Sequence, residues 1–188
     1  MRVNGGKVKG LRLKGAVSSG TRATTERARA AIFNILPGEL YQGGRVLDLF
    51  AGSGSLGIEA LSLGAGWVDF VEWDRRQCQV ILTNLQTTGL HVSGEVHCAD
   101  VGRLLDRLTQ RYHLVLMDPP YAIEELGLVL EKLGEEDGPI EVEGMLVVGH
   151  SRFLELLPEY GELCRVSQRR YGDNAVDFYK KIGPDDED

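Results

Sequence analysis

No stretch of this chain approaches the ~18 consecutive apolar residues of a membrane-spanning helix, and the opening Met1-Arg2-Val3-Asn4-Gly5-Gly6-Lys7 has no apolar run behind it. Export and membrane insertion are therefore not expected, and the cytoplasm is the expected compartment. Cysteine is scarce: Cys78, Cys98 and Cys164 are odd in number and lack metal-type spacing. His91, His97, His113 and His150 form no ligand pattern either. Neither a disulfide framework nor a metal site is expected, and all seven residues read as packing or surface positions in a reducing environment. Internal repeats, low-complexity tracts and linkers are also missing from the 188 residues. One domain of that length buries ~70% of its unfolded surface and needs no staple.

Acid is missing from the start of the chain. Arg2, Lys7, Lys9, Arg12, Lys14 and Arg22 all precede the first carboxylate, Glu26, although the net charge is -7. Setting these six cations aside leaves -13 on the rest. An acidic body with a basic arm points to local contact with phosphates. Val8-Lys9-Gly10-Leu11-Arg12-Leu13-Lys14 alternates apolar and basic residues, which predicts a hairpin or loose ribbon with one basic face. A solvated N-terminus is the plainer alternative. The boundaries read from this are an arm over 1–22, one domain over 23–183 and an acidic, solubilising tail over 184–188.

Chemistry concentrates in two motifs. Arg45 to Leu61 reads as a buried strand, a glycine-rich turn and an apolar-periodic helix, with Gly52, Gly54 and Gly57 matching G-x-G-x-x-G. Glu72 ends the next apolar run, twenty residues past Gly52, where an acid can accept from two ribose hydroxyls. The same pattern also occurs as a mere packing turn. Charge selects the ligand: a pyrophosphate against this turn would be repelled by Asp48 and by Glu59 in the following helix, whereas S-adenosylmethionine carries an ammonium and a sulfonium. Phe50, Ser53 and Gly54 complete the expected cofactor turn. Asp100 and Val101, after a third strand, are placed at the adenine amine, although Asp100 alone is an ordinary helix N-cap and Asp48 alone can cap loop amides.

The second motif is Asp118-Pro119-Pro120-Tyr121, which follows the apolar run Leu114-Val115-Leu116-Met117. An ionised carboxylate only accepts hydrogen bonds, so it suits an exocyclic N–H. The prolines set the directions of nearby carbonyls, one of which can take the amine's second N–H. Tyr121 offers a ring for stacking on an unpaired base. Read blandly, the tetrapeptide is a strand end closed by a Pro-Pro turn.

Between and beyond these motifs the pattern is a βαβ series. Strands are expected near 45–50, 67–72, 94–98, 113–117 and 144–149, with helices over Leu56–Leu63, Arg75–Thr87, Val101–Gln110 and Ile123–Gly134. A first helix, capped by Thr24 or Thr25, runs to Leu36, where Pro37 and Gly38 stop it. Glu162–Arg169 and Ala175–Lys181 around Gly172-Asp173-Asn174 predict a hairpin at the sheet edge. The expected fold class is α/β, with a mostly parallel seven-stranded sheet, an antiparallel C-terminal hairpin and a basic N-terminal hairpin or arm, an arrangement that resembles the Rossmann-like methyltransferase fold. In such sheets ligands sit at the carboxyl ends of the strands, where all four acids fall.

Taken together these residues resemble the bacterial 16S ribosomal RNA guanine-N2 methyltransferases of the RsmD type, over nearly the full length. Arg2-Val3 with Gly6 and Gly10, Gly20 to Arg27 and Phe33-Asn34-Ile35-Leu36 resemble the opening signature of that family, and Tyr171-Gly172-Asp173 its closing turn. Two positions depart from it: Ala23 stands where proline is usual, and Val147-Val148-Gly149-His150 lacks the usual acid at the end of the fifth strand. The resemblance implies S-adenosylmethionine as donor, S-adenosylhomocysteine as product, and the N2 amine of a guanine in 16S rRNA, position 966 in the family, as acceptor. It further implies a monomer acting on the 30S subunit or an assembly intermediate. Asp118, Pro119, Pro120 and Tyr121 would be catalytic, and Lys7, Lys9, Arg12, Lys14 and Arg22 would hold RNA.

Rival readings are a DNA amino-methyltransferase, which would need a recognition domain for which 188 residues leave no room; a protein glutamine methyltransferase, whose motif begins with Asn where Asp118 stands; and a catalytically silent RNA-binding module.

Overall fold

The structure is a computed structural model that describes residues 1–15, 26–120 and 126–183. Its elements are α1 (Glu26–Ile35), β1 (Arg45–Leu49), α2 (Ser55–Ser62), β2 (Trp67–Glu72), α3 (Arg75–Thr88), β3 (Gly94–Cys98), α4 (Val101–Leu105), β4 (Tyr112–Met117), α5 (Leu126–Gly134), β5 (Ile140–Ser151), β6 (Glu159–Tyr160), β7 (Leu163–Tyr171) and β8 (Asn174–Lys181), with a short 3-10 turn at Gly38–Leu40. The sheet order is β3-β2-β1-β4-β5-β8-β7-β6. β3 through β5 are parallel, and β8, β7 and β6 are antiparallel. This is the α/β methyltransferase fold, and the strand order reverses between β1 and β4, which makes that crevice the switch point of the sheet.

Side chains alternate across the strands, so each face has its own core. Val46, Val68, Phe70, Leu114, Leu116, Val147 and Phe178 pack on one side with α1, α2 and α3. Leu47, Leu49, Val71, Val115, Met117, Val148 and Tyr179 pack on the other with α4 and α5. Residues 46, 68 and 114 share a face, so the even-numbered continuations Asp48, Glu72 and Asp118 project toward α2 rather than α5.

Three expectations change. The sheet has eight strands, because the segment after Pro158 adds the two-residue β6. The C-terminal hairpin itself forms at the sheet edge as expected: β8 pairs with β5 and is buried on both faces, and β7 and β6 lie outermost. The near-continuous run Ala175-Val176-Asp177-Phe178-Tyr179 of β8 is what an interior strand requires. The turn is Gly172-Asp173, since Asn174 already pairs with Tyr171 and Ser151. Helix α4 ends at Leu105 instead of reaching Gln110. The caps expected at Thr24 and Thr25, with Ala23, lie outside the described residues.

The basic arm is a loose ribbon, joined by an Arg2–Arg12 antiparallel bridge and by hydrogen bonds from Val3 N to Leu11 O (3.1 Å) and Leu13 N to Met1 O (3.0 Å). Period-2 patterning fails here. Residues 7–10 form turns, Leu11 is exposed, and among the described residues of the arm Val3 and Leu13 are buried in the core, with Met1 and Val8 packed partly against it. The arm is pinned by Glu59 on α2, whose carboxylate accepts from the backbone N–H groups of Asn4 (3.0 Å) and Gly5 (2.7 Å) and from Arg29 Nε on α1 (3.0 Å). Arg29 is fully buried and also donates to Arg2 O. Glu59 therefore faces the arm, not the glycine turn. Its expected part in repelling a pyrophosphate is wrong, and that argument rests on Asp48 alone. No described helix is long and apolar enough to cross a membrane.

Candidate active site

At the carboxyl ends of the parallel strands four acids follow one another across the sheet: Asp100 after β3, Glu72 at the end of β2, Asp48 on β1 and Asp118 directly after β4. Neighbouring strands are about 4.8 Å apart, so the row spans on the order of 14 Å. Register sets Glu72 and Asp118 level with each other, each one residue past the pairs that Leu49 makes with Val71 and Met117, while Asp48, paired with Phe70 and Leu116, lies two residues deeper on β1.

Asp48 is buried, 1% exposed, and its Oδ2 accepts from Gly57 N on α2 at 2.9 Å. Burial holds its carboxyl well above the usual carboxylate range. The nearby charges of Asp118 and Glu72 push it further, against the opposing pull of the Gly57 N–H. The helix can come this close because Gly57 has no side chain: a Cβ there would lie 2.3 Å from Phe70 and 2.8 Å from Val68. The third glycine of the motif thus serves helix–sheet packing and exposes the amide that Asp48 uses.

The turn before α2 is held from the β2 side. Glu72, also buried, accepts from Gly52 N and from Asp74 N, each at 2.9 Å. A carboxylate offers about four acceptor positions, so two remain for hydroxyl donors. Phe50 adopts φ 55°, and Gly52 and Gly54 adopt φ 55° and 75°. A phenylalanine in the left-handed region is strained, a condition that recurs at ligand sites. Ser53 lies in this turn, with its carbonyl bound to Asn84 Nδ2 at 2.9 Å. Asp100 is the N-cap of α4, accepting from Arg103 N at 3.0 Å, and Val101 is buried behind it.

Asp118 is half-buried, Pro119 is buried and Pro120 exposed. The carboxylate of Asp118 lies over Gly149 on β5, where an added Cβ would sit 2.7 Å from its Oδ1. The absent acid of the fifth strand thus has a local consequence, because any side chain at 149 would displace Asp118. Gly149→Ala is expected to lower kcat by ~10²-fold, the cost of an ångström-scale misplacement, with donor affinity unchanged in a binding titration. Wild-type kcat in that variant would show that the observed seat of Asp118 is not the working one.

Tyr121 and Arg22 lie outside the described residues. Lys7, Lys9, Arg12 and Lys14 are exposed on the arm. Trp73, missed from the sequence, follows Glu72 directly at the end of β2 and is 73% exposed. Its signal was legible: a large aromatic directly following the strand-end acid. Cys78 also touches this corner, donating to Glu72 O at 3.2 Å; burial and the neighbouring Cys98 push its thiol up to about 12.

Among the described residues, Asp69, Glu95 and His97 bring possible metal ligands within 4.8 Å of one another. Asp69, however, already accepts from His97 Nε2 (3.0 Å), Trp67 Nε1 (3.1 Å), Tyr112 Oη (2.9 Å) and Arg45 Nη2 (3.1 Å). These donors outweigh the cost of burial and lower its carboxyl to about 2. The cluster is an ion-pair brace between strands, lying on the α5 side of the sheet.

The family model described as conserved hypothetical protein 95 matches residues 1–180. YlbH of Bacillus subtilis is 38% identical over 186 residues, covering 97% of this chain and 100% of that protein. Ribosomal RNA small subunit methyltransferase D of Escherichia coli K12 is 33% identical over 150 residues, 79% of this chain and 73% of the relative. The solved yhhF structure from Escherichia coli has a TM-score of 0.83 at 27% identity, over 97% of this chain and 98% of that one. The chain therefore belongs to the conserved hypothetical protein 95 family, which it shares with YlbH and with ribosomal RNA small subunit methyltransferase D.

Proposed function

We propose that this protein transfers a methyl group from S-adenosylmethionine to the exocyclic N2 amine of a guanine in 16S rRNA, within a 30S subunit or an assembly intermediate in the cytoplasm. The observation that carries the reading is the acid row over the switch point, with Asp48 held protonation-prone by burial and by the charges of Glu72 and Asp118. Such a cleft disfavours a pyrophosphate and gains from a cation. It fits a donor that carries an ammonium and a sulfonium and no phosphate. Kinship with an rRNA methyltransferase supports RNA as the acceptor.

Glu72 has acceptor capacity for the ribose hydroxyls, Trp73 presents a face to the adenine, and Asp100 can take the adenine amine alongside its capping bond. When bound, the donor supplies an electrophilic methyl group. The chain's own residues then do the orienting. The N2 lone pair of guanine is delocalised into the ring, so hydrogen bonds from the amine to Asp118 and to a Pro119 carbonyl favour a more pyramidal nitrogen aimed along the transfer axis. Orientation and preorganised charge supply the rate. A strong base is not required, because the proton leaves after nitrogen has become cationic. The base reaches this cleft unstacked, at a cost of a few kcal/mol, of which stacking on Tyr121 would offset ~1–3 kcal/mol.

Incubation with labelled methyl donor and separated rRNA, DNA and protein fractions tests the reading. Label in 16S rRNA alone, released on digestion as N2-methylguanine, is expected; label in DNA or protein, or none at all, would replace it with one of the rivals. Neutralising Lys7, Lys9, Arg12 and Lys14 together is expected to raise the RNA KM and flatten its salt dependence by about three units of log–log slope, with donor affinity preserved. RNA kinetics indistinguishable from wild type would remove the arm from the substrate site.

A further inference from the structure

The side-chain amide of Asn84, on α3, is 1% exposed and makes no hydrogen bond to its own helix. Oδ1 accepts from Lys14 N at 2.8 Å, and Nδ2 donates to Lys14 O at 3.1 Å and to Ser53 O at 2.9 Å. It thus pairs with both backbone groups of one arm residue, as a neighbouring strand would, and spends its remaining bond on the glycine turn. Both donors of the amide are committed, and burial leaves no water to replace either partner. A shift of Lys14 and a shift of Ser53 therefore pull on the same rigid plane. On the other side of the turn, Glu59 ties Asn4 and Gly5 to α2, and Ser53 Oγ lies 3.7 Å from Met1 Sδ. The ribbon bearing the arm's cations and the turn that would hold the donor are seated on each other.

We propose that Asn84 is a positioning residue that couples the two substrates, so that RNA held by the arm raises affinity for the donor at the turn and the donor raises affinity for RNA. The inference rests on the functional reading above and adds to it a mutual dependence of the two binding events. Linkage requires the two enhancements to be equal. Ordering Lys14 fixes the Asn84 amide, which fixes the Ser53 carbonyl; the second ligand then meets a turn or a ribbon already set in place, so less freedom is lost on its binding.

The test is a binding cycle with full-length protein, S-adenosylhomocysteine as a non-reacting stand-in for the donor, and deproteinised 16S rRNA. Each Kd is measured with and without saturating amounts of the other ligand. In the wild type both affinities are expected to rise by the same factor, at least about fivefold. In Asn84→Ala the factor is expected to fall toward one, while each ligand alone still binds. Asn84→Asp, which keeps the side-chain volume and the acceptor for Lys14 N but loses both donors, should give the same collapse and covers the case in which the alanine variant does not fold. A wild-type factor of one, or a factor that survives in either folded variant, would overturn the coupling and leave the functional reading standing. A wild type that binds neither probe would overturn the functional reading and the coupling with it.

Discussion

Asp118→Ala is expected to lower kcat for RNA methylation by ~10³-fold or more while S-adenosylmethionine still binds. Removing one preorganised group that meets the charge developing in a transition state costs 10²- to 10³-fold in other enzymes. Here the same carboxylate also orients the amine, so both contributions are lost together. Donor affinity is sheltered because Glu72, Asp48 and the glycine turn are untouched, and because losing the charge of Asp118 relieves Asp48, whose ionisation that charge opposes. Asp118→Asn separates the two roles, since the amide oxygen still accepts from N2 without the negative charge. A rate between wild type and alanine is expected. Single-turnover rates at saturating donor and RNA, with donor Kd from calorimetry, decide the matter; an alanine variant with near-wild-type turnover would remove Asp118 from the chemistry.

Asp48→Asn is expected to move stability and donor affinity in opposite directions. Because burial and neighbouring acids raise the Asp48 pKa in the folded state, the fold is favoured while this carboxyl is protonated, and that advantage is lost as pH rises from the unfolded value near ~3.9 through the folded one. Asparagine keeps an acceptor for Gly57 N without a charge, so the variant should melt higher than wild type, by ~2–4 °C per kcal/mol relieved, and the gap should widen with rising pH. A cationic donor instead favours the ionised carboxylate. Wild-type donor affinity should therefore increase with pH across the raised pKa and level off above it. The variant should show a flat profile and bind ~10-fold or more weakly, the scale of a charged hydrogen bond. Equal melting temperatures and equal pH profiles would show that Asp48 carries no suppressed charge at the site.

Much of this was legible in the sequence because periodicity is local. Five parallel strands and the βα spacing follow from short apolar runs, and the glycine turn with Glu72 twenty residues on follows from spacing alone. Trp73 stood in plain view beside that acid but carries no motif of its own. Period-2 alternation misled in the arm, since a ribbon lying on helices is patterned by what it rests on and not by its own strand geometry; of the apolar residues that alternate over 8–14, Leu13 is buried, Val8 partly buried and Leu11 exposed. Glu59 misled for a related reason. Its helical position allows several neighbours, and the choice of Asn4, Gly5 and Arg29 is made some 30 to 55 residues away in the chain.

By itself the sequence determined the fold class, the identity of the acids and their order along the chain, because side-chain type and hydrophobic period are set residue by residue. Only the tertiary structure decided that Asp48, Glu72 and Asp118 project from one face of neighbouring strands, that Asp118 is seated over the bare backbone of Gly149, and that Asn84 joins arm to turn. Such relations depend on strand order and on sub-ångström clearances between segments far apart in the chain, and no local pattern encodes them.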